Sequence, residues 1–208
     1  MTDHHTPLQL PTREAINAMV PFVGLSLRNI QLVTTHEEAA TAFKHLCKES
    51  ILGFDTESRP TFRIGQRSEG PHVLQFATPH RAYLFQAHLP FCVPAVAEIL
   101  KSKQVVKIGF GLNDDIKRIR EKFRIHPRSI IDIDRIFKRL GQKNSIGTKT
   151  AIALLFGKRL IKSHKLTTSN WSNRRLSEKQ LLYAANDAFA ALAVFTALKK
   201  RGMPDGYF

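Results

Sequence analysis

Apolar residues follow two kinds of pattern along this chain, compact blocks early and helical spacing late. Ile30 to Val33, Ile51 to Thr56, Val73 to Ala77, Ala82 to Phe85, Val105 to Ile108 and Ile130 to Ile133 are short apolar runs, and each predicts a buried strand. Thr78-Pro79-His80 is the turn expected between the third and fourth of these. Helices are predicted where a capping residue precedes apolar spacing. Thr35-His36-Glu37-Glu38 has the form of a capping box and opens a helix through Cys47. Ser177 with Gln180 opens the longest helix, which runs to about Lys200. Pro94 sits in the first turn of a helix to Leu100, and Asn113 is the expected N-cap of another. Asp134 to Leu140 and Thr148 to Phe156 are further helices, with a short one between Thr12 and Val20. Ser58 to Pro71, with two prolines, two glycines and three arginines, reads as a loop.

Strands first and helices later imply an α/β fold, a central mixed β-sheet flanked by α-helices. No repeat or linker divides the 208 residues, so one domain is expected over residues 29–208, with residues 1–28 as a peripheral N-terminal extension. Hydrophobic residues make up 43% of the chain, which excludes a disordered tail. No apolar run approaches bilayer-spanning length, and Met1-Thr2-Asp3-His4-His5 lacks a basic region followed by an apolar one. A cytoplasmic protein without a membrane partner is therefore expected. Cys47 and Cys92 lie in apolar stretches without metal-ligand spacing and are expected to be buried, reduced thiols. Charge changes the picture more: 32 Lys plus Arg against 17 Asp plus Glu leaves a formal net charge of +15. Such a field attracts nucleic acid or an anionic membrane surface.

Against that basic background a few acidic positions stand out. Asp55 and Glu57 are two apart at the end of an apolar strand, so both project to one side. Two carboxylates held that close repel each other unless a cation sits between them. A solvated strand end is the plainer explanation, but Ile51-Leu52-Gly53-Phe54 marks a central strand, where open sheets bind ligands. Tyr183 and Asp187 are four apart on the last helix and share a face, among small residues Ala184, Ala185 and Ala188. A Tyr–Asp hydrogen bond at a helix edge accounts for that pair equally well. Asp114 and Asp115 open a helix, a place the helix dipole alone favours for aspartate. Gly109-Phe110-Gly111 lacks the third glycine of a dinucleotide loop, since Asp114 stands there.

Taken in order, Phe54-Asp55-Thr56-Glu57, Ile108-Gly109-Phe110-Gly111-Leu112-Asn113-Asp114-Asp115 and Tyr183-x-x-x-Asp187 resemble the three motifs of the ribonuclease D-like 3′–5′ exonucleases of the DEDDy type, which include the Werner-type exonuclease domain. Trp171-Ser172, Arg175-Leu176 and Gln180 resemble the segment leading into the third motif, and the likeness spans about Ile30 to Leu198. It implies a ribonuclease H-like fold. It also implies two divalent metal ions, Mg²⁺ or Mn²⁺, about 4 Å apart. Asp55 would bridge them, Glu57 and Asp187 would hold the first, and Asp115 would serve the second. Tyr183 would orient the attacking water, since an ordinary phenol is a poor base near neutrality. The activity implied is hydrolysis from the 3′ end of RNA or single-stranded DNA, releasing nucleoside 5′-monophosphates. Thr56, Arg59, Phe62, Arg63 and Arg67 near the first motif, and Lys162, Lys165, Arg174 and Arg175 before the last helix, are the expected nucleic-acid contacts. Trp171 is expected in the core rather than against a base. An oligoribonuclease-like degrader of very short oligonucleotides fits the same motifs. A catalytically silent nucleic-acid-binding module would have lost a metal carboxylate, and none of the four is missing.

Overall fold

The computed structural model describes residues 9–61, 65–66 and 68–202. The elements run α1 (Arg13–Ala18), a 3₁₀ turn (Leu27–Asn29), β1 (Ile30–Val33), α2 (His36–Leu46), β2 (Ile51–Glu57), β3 (Val73–Ala77), β4 (Ala82–Gln86) and α3 (Cys92–Lys101). They continue with β5 (Val106–Gly109), α4 (Asn113–Phe123), β6 (Ile130–Asp132), α5 (Ile133–Arg139), α6 (Thr148–Phe156), α7 (His164–Thr167) and α8 (Glu178–Lys200). Every strand and helix expected from the sequence is present to within a residue or two. The 3₁₀ turn and the four-residue α7, both polar and short, carry no periodicity and were not expected.

Among the described residues, six strands form one sheet in the order β1-β4-β3-β2-β5-β6. β3 runs antiparallel to β2 and β4, and the remaining pairs are parallel, so the sheet is mixed as expected. β2 lies inside the sheet, and its alternating side chains serve two cores. Leu52 and Phe54 pack with Leu74, Phe76, Phe85 and the apolar sides of α2 and α3. The Phe54 and Phe76 rings stack with centroids 5.1 Å apart. On the other face Ala184, Ala185 and Ala188 of α8 lie among Val73, Leu84 and the fully buried Trp171.

Gly53 shows how close that second packing is. A Cβ built there would run into the Ala188 carbonyl. The absence of a side chain on β2 and the alanines of α8 therefore let the helix backbone rest directly on the strand. This contact brings α8 side chains within reach of Asp55 and Glu57. Both predicted capping boxes form: Thr35 with Glu38 at α2, and Ser177 with Gln180 at α8.

Four expectations are corrected. Asn113 is the first residue of α4 rather than its N-cap, because Asp132 accepts from the amides of Gly111 and Leu112 at 3.0 and 3.1 Å and closes the preceding turn. Cys47 is exposed, since it follows the last turn of α2; Cys92 is buried as expected. Residues 20–25 are not peripheral: they dock on α8, with Asn186 bonded to both main-chain atoms of Leu25. Finally, α8 is long and apolar enough to cross a bilayer by length and composition, contrary to the reading of the sequence. In this fold its apolar positions form core, from Ala184 through Leu198.

Candidate active site

Period-two alternation and the close seat of α8 assemble the site from distant segments. Asp55 and Glu57 end β2 on the side facing α8, where Tyr183 and Asp187 lie one turn apart. Asp55, Glu57 and Asp187 each offer a carboxylate oxygen, and these oxygens lie within 4.8 Å of one another. Glu57 and Asp187 are buried. Asp115, in the first turn of α4, is not part of that tight trio. It stands beside it, accepting a hydrogen bond from the Thr56 hydroxyl and repelling Asp55. The four expected carboxylates are thus gathered as three plus one.

The electrostatics follow from that crowding. Burial, then repulsion from Asp115 and Asp187, holds the Asp55 carboxyl well above the usual carboxylate range. Burial and Asp55 push Glu57 up to about 10. Asp115 and Asp187 are also raised, in both cases first by burial. Lys162 meets this group directly, with Nζ 2.9 Å from Asp187 Oδ2 and 5.8 Å from the centre of the Tyr183 ring. Burial works to lower the Lys162 ammonium, but attraction to Asp187 and Asp55 outweighs it and the net shift is upward. The Tyr183 phenol is raised to about 12 by burial and by Asp187. Its oxygen is 2.8 Å from Thr167 Oγ1, which fixes the phenol against α7.

This donor set suits a hard divalent cation. Hard cations take oxygen ligands, and three converging carboxylates against one ammonium leave a formal charge of minus two to be met. Chemically, the arrangement can hold a cation beside a phenol hydroxyl that keeps its proton at neutral pH and can donate a hydrogen bond.

The other expected contacts are scattered. Arg59 pairs with Glu69 at 3.6 Å on the exposed loop, and its amide donates to His72 Nδ1. Lys165, Arg174 and Arg175 are exposed and outside the carboxylate group. Phe62, Arg63 and Arg67 lie outside the described residues. Trp171 is core, its ring centre 5.9 Å from that of Tyr183. Sequence reasoning placed Lys162 among phosphate contacts and missed its place inside the site, as it missed Thr167 and Asn186. Lys162 and Thr167 lie on the path of the chain between α6 and α8, where no motif marks them, and Asn186 occupies an unspecified position inside the Tyr183-x-x-x-Asp187 motif. Two clefts lie on this part of the molecule, and the second reaches the carboxylate group at Asp187. One, of about 600 Å³, runs beside α4 and is lined by Thr61, Gln66, Ser68, Lys117, Arg118 and Arg124 among others. The second, of about 310 Å³, is floored by Phe22, Leu160, Ile161 and Leu166 and ends at Tyr183 and Asp187.

A mixed sheet with an acidic group at the end of its central strand, closed by a tyrosine-bearing helix, defines a nuclease-type α/β domain. The chain belongs to the 3′–5′ exonuclease family, whose profile matches residues 30–202. The mouse bifunctional 3′–5′ exonuclease/ATP-dependent helicase WRN is 29% identical over 154 residues, covering 73% of this chain and 11% of that protein. The Aedes aegypti Nibbler EXO domain superposes with a TM-score of 0.74 at 24% identity, covering 86% of this chain and 91% of that one. Trypanosoma brucei RNase D, solved with RNA U12, gives 0.74 at 18% identity over 92% of this chain and 66% of that one. The fold is ribonuclease H-like. The chain spans between 11% and 60% of the length of the first curated relatives it matches.

Proposed function

We propose that this chain is a metal-dependent 3′–5′ exonuclease that hydrolyses the terminal phosphodiester of single-stranded RNA or DNA and releases nucleoside 5′-monophosphates. The observation that carries the reading is the Asp55–Glu57–Asp187 trio with Tyr183 one helical turn away, in a chain of the 3′–5′ exonuclease family. Asp55, Glu57 and Asp187 would hold a divalent cation, and Asp115 with Thr56 would complete a second position beside Asp55. Two ions, Mg²⁺ or Mn²⁺, suit this set; such ions lower the pKa of bound water and neutralise charge building on phosphate oxygens.

The chain's own groups do the rest. Tyr183, raised to about 12, stays protonated at neutral pH and donates a hydrogen bond that aims the attacking water. Thr167 holds the phenol in place for that task. Lys162 supplies a partly buried positive charge next to Asp187, where the scissile phosphate must approach. Lys117, Arg118 and Arg124 along the wider cleft give the strand phosphate contacts, within a field of +15 overall. RNA is the first substrate to try, given the ribonuclease D of like fold solved with RNA U12.

Polarity and substrate are tested together with single-stranded RNA and DNA labelled at either end. A 5′ label should yield a ladder that shortens one nucleotide at a time, while a 3′ label is released at once as mononucleotide. The opposite pattern, or internal cuts, would overturn the reading.

A further inference from the structure

Upstream of the family-matched region, residues 20–25 form a strap between two pieces of the site. At one end it pairs with the stretch before α7: the Arg159 amide donates to Val20 O and the Phe22 amide to Arg159 O, both at 2.9 Å. At the other end it is clamped to α8. Asn186 Oδ1 accepts from the Leu25 amide at 2.6 Å, while Nδ2 donates to Leu25 O at 3.1 Å and to Leu182 O at 2.8 Å. Both amide hydrogens and the oxygen of Asn186 are therefore used. The fit is tight, since a Cβ at Gly24 would collide with Asn186 Oδ1. Phe22 adds apolar grip, its ring centre 5.5 Å from Phe156 and 6.2 Å from Phe189.

These two pieces are the ones the Lys162–Asp187 ion pair spans. Lys162 follows Arg159 by three residues, and Asp187 follows Asn186 directly. We propose that Asn186 is a positioning residue: by clamping the strap to α8 it fixes the Lys162 segment against the helix, and with it the placement of Asp187 and Tyr183. The effect on turnover rests on the exonuclease reading; the effect on placement does not. Small displacements of reacting groups cost heavily, so a released strap lowers kcat more than it raises KM.

The test is a double-mutant cycle of Gly24→Ala, Asn186→Ala and both together, on the whole chain, with thermal melting as a control for folding. Each single variant should lose roughly tenfold in kcat on 5′-labelled single-stranded RNA with KM within about twofold. The double should be no worse than Asn186→Ala, because the added methyl then meets no amide. Reductive methylation of Lys162, read by mass spectrometry, follows the clamp without a nuclease assay. It should rise in both singles and no further in the double. Wild-type kcat in both singles, losses that multiply, or unchanged Lys162 labelling would overturn the proposal. Labelling that rises in the single variants as expected, with a wild type that degrades no RNA, would instead sink the exonuclease reading and leave the clamp standing.

Discussion

Asp55 is a carboxyl group crowded by other carboxyl groups, and its neighbours set what its removal does. Asp115 and Asp187 oppose its ionisation, so neutralising it relieves repulsion in the metal-free protein. Asp55→Asn should leave the melting temperature in EDTA unchanged or higher, read by thermal denaturation; a clear drop would mean that partners within the protein stabilise the carboxylate. Tyr183→Phe removes one hydrogen bond and should slow kcat by about 10- to 100-fold while KM stays nearly constant, in steady-state assays. Asp55, Glu57, Tyr183 and Asp187 were legible because strand alternation and the helical turn aim each pair without knowledge of the rest. Lys162 and Asn186 were not, because their partners are chosen by tertiary packing; the Asn186–Leu25 contact spans 161 residues.

The decisive element is α8 on β2. Gly53→Ala would push the Ala188 carbonyl away from the strand and should cost about 1–3 kcal/mol in denaturant unfolding, with a loss of activity as Asp187 shifts. The neighbouring β5 carries a test of a different kind. Lys107 is fully buried, donating to Ser102 O and Val105 O at 2.8 Å, and burial lowers its ammonium to about 8. Between about pH 8 and its unfolded value of 10.5 the unfolded chain holds a proton the folded chain has released. Stability contributed by this group therefore rises with pH across that window. Unfolding free energies of wild type minus Lys107→Met should climb from pH 8 to pH 10; a flat difference would place the ammonium in contact with water. Element boundaries were legible from apolar runs and capping boxes. The start of α4 was not, because Asp132, from the next strand, holds the turn at Gly111 and Leu112 and the helix begins at Asn113 without a side-chain cap.

For the whole molecule, a basic exterior surrounds an acidic site. Nucleic-acid affinity should fall steeply as salt rises, in filter binding or anisotropy; a flat salt response would separate the net charge of +15 from binding. The mixed sheet with β2 inside could be read from the order of strand and helix signals. The docking of residues 20–25 could not, since an irregular segment without apolar period declares no partner. The central claim is that the gathered carboxylates hold the cations on which phosphodiester hydrolysis depends. Its most direct measurement is the rate on a 5′-labelled single-stranded RNA by protein stripped with EDTA, as Mg²⁺ or Mn²⁺ is restored. Wild type should go from inactive to a stepwise ladder, and Asp55→Asn should stay inactive at every concentration. Hydrolysis that persists without metal, or that Asp55→Asn recovers in full, would contradict the account.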